Sequence, residues 1–311
     1  MMRASAFVLL AISASYVCAD ELELDLTPRT ADAPAVTEIH LLDGEGVGEQ
    51  EIVAISADGT QRRLVNFEAA ELRYLPQVPK IQFDVAAPGD AIPHAAPGFG
   101  ASEIDAAWFV EPTGRYAHGV LGDAIEASAL RASFFDGADL TLRLDEDSVF
   151  EDLTPRIVDL GFDGDEEILA VRAYAASGAA LAVIGRVEGD LEILAETPPI
   201  GTPNRWLNPL GAGDLDGDGV DEIAYVETPH IGGIVRVWRY ADGALTQKAA
   251  LPGYSTHRIG ATALGLGLIA DLDPDGAPEI ILPTQNRRAL ARLDFDGAAL
   301  SEKWRVDLPA P

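Results

Sequence analysis

Thiols are almost missing from this chain. Of its 311 residues one is a cysteine, Cys18, and it lies within the first twenty. Basic residues are scarce too: 22 Lys and Arg stand against 51 Asp and Glu, a formal net charge of −29. Such a surface repels phosphate backbones and anionic lipid, which argues against a nucleic-acid partner. Beyond the N-terminus no apolar run is long enough to cross a bilayer. No stretch carries convincing helical caps and period; "NFEAAELRYL" is the best candidate and is short. Catalytic signatures are also lacking. There is no Gly-x-Ser-x-Gly elbow, "VIGRV" and "GLGLIA" are Gly-containing strands rather than phosphate loops, and "HRIG" and "TPHIGG" lack the paired spacing of a zinc site.

What is present begins with a leader. Met1-Met2-Arg3, then "ASAFVLLAISASYV", then "CAD" reads as a positive start, a short apolar stretch and small residues before an acidic segment. Val17 and Ala19 place the cut after Ala19, so residues 1–19 are a signal peptide and 20–35 a linker. An uncleaved anchor and a lipid on Cys18 are the alternatives, although Tyr16 and Val17 fit poorly before a lipidated cysteine. Cleavage would export the protein to the periplasm or beyond and remove its cysteine. No disulfide could then hold its loops, and metal is the natural substitute.

The remainder repeats. "DLDGDGVDEIAYV" begins at Asp214, "DLDPDGAPEIILP" at Asp271 and "DLGFDGDEEILAV" at Asp159; weaker copies begin at Asp43 and His118. Spacings of about 41 to 75 residues point to a propeller or solenoid. Between copies the chain reads as strands: "EIAYVET" and "EILAVRAY" are short apolar runs, and "GIVRVWRY" alternates. Outer hairpins are expected around Glu188-Gly189, Asp242-Gly243 and Asp296-Gly297. One unit is thus an apolar strand, an acidic loop, a second strand and a hairpin, which is the anatomy of a four-stranded propeller blade.

This motif and spacing resemble the FG-GAP repeats of integrin-alpha-type β-propellers and the related bacterial VCBS-type repeats, well over 104–308 and loosely over 36–100. The resemblance implies an all-β propeller of about five blades, with room for a sixth in the long first interval. The blades would run 36–103 (atypical), 104–150, 151–203, 204–258 and 259–311. It also implies structural calcium in the inter-strand loops.

Calcium takes six to eight oxygens at about 2.3–2.6 Å and tolerates irregular geometry, so acids at alternate positions of a tight loop suit it. The best loop offers Asp214, Asp216 and Asp218, a turn at Gly219, the carbonyl of Val220, and Glu222 to close the shell. An EF-hand would need a glutamate at the twelfth position and flanking helices; that position is Tyr225, inside an apolar strand. The second loop keeps Asp271, Asp273, Asp275 and Glu279, with Ala277 in the place of Val220. The third has Gly161 at the second acidic position but keeps Asp159, Asp163 and Glu167, with Asp165 in the carbonyl place. The copy at Asp43 has Val47 where a ligand should stand, and that at His118 has Val120 and Gly122, so neither is expected to bind metal.

A second site is suggested where the few cations meet aromatics. "GRYAHG" holds Arg115, Tyr116 and His118; "PNRWLNP" holds Arg205, Trp206 and Asn208; "STHRIG" holds His257 and Arg258. Each precedes a strand read as an inner one, near the channel, where planar donors and a stacking face could bind an anionic or sugar-like ligand. The alternative is packing between blades. His230, between Pro229 and Gly232, is a similar but lone signal. The functional expectation is a non-enzymatic binding or scaffold module for a protein or glycan. The alternative is a polysaccharide-acting hydrolase or lyase at the channel.

Overall fold

The computed structural model describes residues 86–161, 163–273 and 275–307, together with four strands between 36 and 75. The expected signal peptide and linker lie outside the described residues. Every regular element described is a strand. No helix among the described residues is long and apolar enough to cross a membrane.

The strands fall into groups of four. The first is β1 (Val36–Asp43), β2 (Gln50–Ser56), β3 (Gln61–Val65) and β4 (Glu71–Leu75). The second is β5 (Gly98–Phe99), β6 (Ile104–Thr113), β7 (Glu126–Phe134) and β8 (Asp139–Arg143). A short β9 (Ser148–Phe150) follows, then β10 (Arg156–Val158), β11 (Glu167–Tyr174), β12 (Gly178–Val187) and β13 (Asp190–Glu196). The fourth is β14 (Leu207–Gly213), β15 (Glu222–Glu227), β16 (Ile234–Ala241) and β17 (Ala244–Pro252). The last is β18 (Leu268–Ala270), β19 (Glu279–Pro283), β20 (Ala289–Phe295) and β21 (Leu300–Asp307).

Within each group the strands pair antiparallel in chain order, forming five meanders. β9 touches both β7, through Ala127–Phe150, and β11, through Arg172–Phe150, and so fuses the second and third meanders into one nine-stranded sheet. Among the described residues no sheet closes into a barrel. The best helical candidate in the sequence ends in β4, which pairs with β3 through Leu64–Leu72. So short a helix would leave most of its backbone groups unpaired, whereas a strand beside β3 gains a ladder.

The hairpin turns follow their residues. Glu188-Gly189 (φ 51° and 96°) and Asp242-Gly243 (φ 51° and 71°) join adjacent strands with both central residues left-handed, as a two-residue turn of the matching twist requires.

The central strands are apolar on both faces because both faces are covered. Along β11, Ile168 and Ala170 pack with Phe109 and Phe150 of the preceding meander, while Leu169 and Val171 pack with Trp206 and Tyr225 of the next. β15 repeats this, with Ile223 and Tyr225 on one side and Ala224 and Val226 on the other. Period-two alternation therefore sorts one continuous apolar run into two cores. Each of the larger aliphatic and phenylalanine side chains among them contributes about 1.5–3 kcal/mol on burial, the alanines less. The meanders thus stack face to face.

Strands adjoin accordingly: β5, β10, β14, β18 and β1 in that order, and β8, β13, β17 and β21 in theirs. The chain's first meander meets its last. The Ile39 amide donates to Gly265 O at 2.8 Å, and Ile39 is buried with Leu266, Ile281 and Leu290.

Candidate functional site

Direction alternates along a meander, so the joins between first and second strands and between third and fourth strands lie at one end. The joins between second and third strands, and the crossings to the next meander, lie at the other. This sorts the chemistry of the molecule.

The acidic loops occupy the first end. The loops from Asp159, Asp214 and Asp271 each join the first and second strands of their meander. All three share one hydrogen-bond plan. The opening aspartate accepts the glycine amide five residues on: Gly164 to Asp159 at 3.1 Å, Gly219 to Asp214 at 2.8 Å, Gly276 to Asp271 at 3.1 Å. The fifth-position aspartate accepts the amide two residues later: Asp165 to Asp163, Val220 to Asp218 and Ala277 to Asp275, at 2.9–3.1 Å. The closing glutamate accepts the amide of the loop's second residue: Leu160 to Glu167, Leu215 to Glu222 and Leu272 to Glu279, at 2.8–3.2 Å. These bonds turn the carboxylates inward. Asp271, Asp273, Asp275 and Glu279 each bring an oxygen within 4.8 Å of the others, as do Asp214, Asp216 and Asp218.

The closing glutamates are sunk in the fold, and burial pushes Glu167, Glu222 and Glu279 each up to about 7. Asp214 Oδ1 is buried without a hydrogen-bond partner. Clustered, partly desolvated carboxylates with an orphaned oxygen fit a hard cation with oxygen preference. Asp214, Asp216, Asp218 and Glu222 would hold one, Asp271, Asp273, Asp275 and Glu279 a second, and Asp159, Asp163 and Glu167 a third, with the carbonyls of Val220, Ala277 and Asp165 beside them.

Two arginines missed in the sequence enter these loops. Arg239, on β16, holds Asp216 at 3.1 Å, Asp218 at 2.8 Å and Glu222 through Nε at 2.6 Å. Arg292, on β20, holds Asp273 at 2.7 Å and Glu279 at 2.8 Å. Among the described residues the loop from Asp159 has no such partner; Arg186 on β12 pairs with Asp136 instead, at 2.7 Å. The arginines lie some seventeen and thirteen residues past their loops, and only strand pairing brings them in.

The copy read at His118 is not a counterpart of these loops, because it joins β6 to β7, second strand to third. The counterpart in that meander is the short turn Gly100–Glu103. Its amides are taken by Glu166 of the next meander: Ala101, Ser102, Glu103 and Ile104 donate to that carboxylate at 2.6–3.2 Å. The copy from Asp43 falls mostly on residues outside those described.

The other end gathers the cations and imidazoles. Arg205, His230, His257, Arg258 and Arg287 all lie on its joins. His118 Nδ1 lies 2.6 Å from Glu151, a fully buried acid whose second oxygen has no partner. Trp206 donates Nε1 to the Glu151 carbonyl at 2.8 Å and meets His257 edge-on, ring centres 4.7 Å apart. His230 and His257 stand 6.3 Å apart.

Several of the expected ligand residues are enclosed or already engaged within the chain. Trp206, Asn208 and His257 are fully buried, and Tyr116 nearly so. Trp206 offers no stacking face, because it fills the seam between two meanders. Asn208 is held by Thr256, Leu264 and Arg156. Arg115 is engaged by the carbonyls of Ser148 and Asp145, at 3.0 and 2.9 Å. Its segment also precedes a third strand, not an inner first one. Arg205 and Arg258 remain accessible.

No family model matches this chain, and no curated protein does. Solved structures similar to it include the exotype rhamnogalacturonan lyase YesX, at 17% identity over 83% of this chain and 49% of that one, TM-score 0.39. Rhamnogalacturonan lyase YesW gives 13% over 91% and 65%, TM-score 0.37. The SREBP–SCAP binding domains of fission yeast give 9% over 95% and 70%, TM-score 0.36. The chain spans about half to two thirds of the lyases it resembles. With every TM-score below 0.5, these likenesses say nothing about what this chain does.

Proposed function

We propose that this chain is an exported, calcium-stabilised β-propeller that serves as a non-enzymatic binding or scaffold module for a protein or glycan. The observation that carries the reading is positional. Three acidic loops with one hydrogen-bond plan recur at the same join of successive meanders. Those meanders stack so that their first strands adjoin in the order β5, β10, β14, β18, β1. Five four-stranded units in that order, with the chain's first unit against its last, are what a five-bladed propeller requires. The sequence resemblance to FG-GAP and VCBS-type repeats supports the same fold and the same ion.

Calcium would be structural. Bound among protein oxygens it would tie the first strand to the second in a chain without disulfides, and would stabilise the folded state by mass action. The buried acids at the opposite end, Glu126, Glu151 and Asp152, are enclosed and could not flank a polysaccharide. This favours binding over the hydrolase or lyase alternative.

Thermal melts of residues 20–311 in EGTA and in millimolar calcium test the reading. A large upward shift with calcium is expected, reduced when Asp216 and Asp273 are both replaced by Ala. Coincident melts would overturn it.

A further inference from the structure

Most arginines among the described residues hold a carboxylate: Arg131 takes Asp90, Arg236 takes Glu227, Arg305 takes Glu302. In a chain of net charge −29 this is the expected state of a cation. Five depart from it: Arg115, which is engaged by backbone carbonyls, Arg288, and the three that lie near the imidazoles, Arg205, Arg258 and Arg287. None has a carboxylate partner among the described residues. Arg205 donates to the Asn204 carbonyl at 3.1 Å, and Arg287 makes a long bond of 3.4 Å to Ser255 Oγ. Arg205, Arg258 and Arg287 come from two crossings between meanders and one join of second to third strand, all at one end. Arg258 follows His257, whose ring centre lies 6.3 Å from that of His230. Arg205 precedes Trp206, whose ring centre lies 4.7 Å from that of His257, and Arg287 bonds Ser255, two residues before His257.

Burial and nearby charge act together on these groups. Arg287 is partly buried, and burial, then the charge of Arg258, hold it below the ordinary arginine range. Burial, then His230 and the charges of Arg287 and Arg258, hold His257 down to about 4. Burial, His118 and Arg205 lower His230. The three arginines therefore stand at this end with no carboxylate paired to any of them among the described residues, while the buried acid Glu151 at the same end is taken by His118 at 2.6 Å.

The backbone at the same place is unusual. Asn204, Thr228 and Arg287 are left-handed, with φ of 55°, 45° and 53°. For the β-branched Thr228 that conformation is costly, and such strain persists where the surrounding structure enforces it. Thr228 is pinned by its amide on the Trp206 carbonyl at 2.8 Å, which sets the loop carrying His230 beside Arg205. The Nδ1 atoms of His230 and His257 are buried without partners. Ile231 and Ile259, exposed by 54% and 63%, follow His230 and Arg258 directly and give the rim apolar surface.

We infer that Arg205, Arg258 and Arg287, gathered around His230 at the end of the fold opposite the acidic loops, form a binding site for the oxyanion group, carboxylate or sulfate, of a ligand. Guanidinium groups suit such planar or tetrahedral acceptors through paired N–H donors. The anion supplies the charge that the protein withholds, and Ile231 and Ile259 receive the body that carries it. The site deepens the binding-module reading and shares its premise that one face receives a ligand. Its residues are separate from the calcium loops.

Isothermal titration of the calcium-loaded chain (residues 20–311) with sodium sulfate and, separately, sodium glucuronate, at low ionic strength, tests the site. Binding of at least one is expected, and comparison of the two arms distinguishes a sulfate site from a carboxylate one. Arg258→Gln and Arg287→Gln should each weaken binding at least tenfold, while Arg115→Gln leaves it unchanged. Arg287→Gln should also melt no lower than the parent without anion and lose the upward shift that the anion causes. Each variant should keep the calcium-induced shift, so failure here is distinct from failure of the calcium reading. Absence of binding by both probes, or equal binding by the arginine variants, would overturn the site.

Discussion

Arg239 reaches across from the third strand of its meander to Asp216, 3.1 Å away in the loop that joins the first strand to the second. A guanidinium therefore stands where a calcium ion would draw charge, and the two would compete for Asp216, Asp218 and Glu222. Arg239→Gln should lower the melting temperature in EGTA and enlarge the rise produced by calcium. An unchanged calcium response would show that ion and arginine occupy different places.

Glu166 bridges two meanders. Burial raises the pKa of its carboxyl, but the amides of Ala101, Ile104, Glu103 and Ser102 outweigh burial and hold it below its ordinary value. Glu166→Ala leaves four amides without an acceptor and should cost about 1–3 kcal/mol in urea unfolding. Glu166→Gln retains one carbonyl and should cost less. Equal losses would indicate that the amides find water instead.

Glu126 gives the chain a pH dependence opposite in sign to that of Glu166. Burial, reinforced by Glu151, Asp123 and Asp152, pushes it from its ordinary 4.5 up to about 9. The folded state then keeps a proton that the unfolded chain releases. Stability is fully present below about pH 4.5 and falls as pH rises toward 9, by up to about 1.4 kcal/mol per unit. Glu126→Gln, which mimics the protonated acid, should flatten that slope in urea melts between pH 5 and 9. An identical slope would assign the dependence elsewhere.

Trp206 is a structural residue. Trp206→Phe removes the bond from Nε1 to the Glu151 carbonyl and leaves a void beside His257. A loss of about 2 kcal/mol is expected. Because the indole is fully buried, binding of sulfate or glucuronate should survive the change. Loss of binding in a folded variant would place the ring in contact with ligand.

Much of this was written locally. "EIAYV" and "EILAV" are apolar without interruption because β15 and β11 are covered on both faces, and that shows in any window of the chain. Glu188-Gly189 and Asp242-Gly243 announce their turns because left-handed backbone is a property of a residue pair. The acidic loops are likewise local: their internal bonds span seven residues or fewer, so spacing alone reveals them. Tertiary structure decided the rest, by distances along the chain that no local pattern encodes. Strand pairing carried Arg239 into the Asp214 loop, and stacking of meanders carried Glu166 to a turn 62 residues away from it at Ile104. The motif copy at His118 was displaced to a different join, because what sets a loop's role is its place in the meander. Trp206 and Asn208 lie in the same short stretch as Arg205, yet the first two are buried between sheets and the third is left facing His230. Arg205 and Trp206 lie in the crossing before β14, where no strand period fixes a side chain's direction, and only the packed fold determines which of them is enclosed.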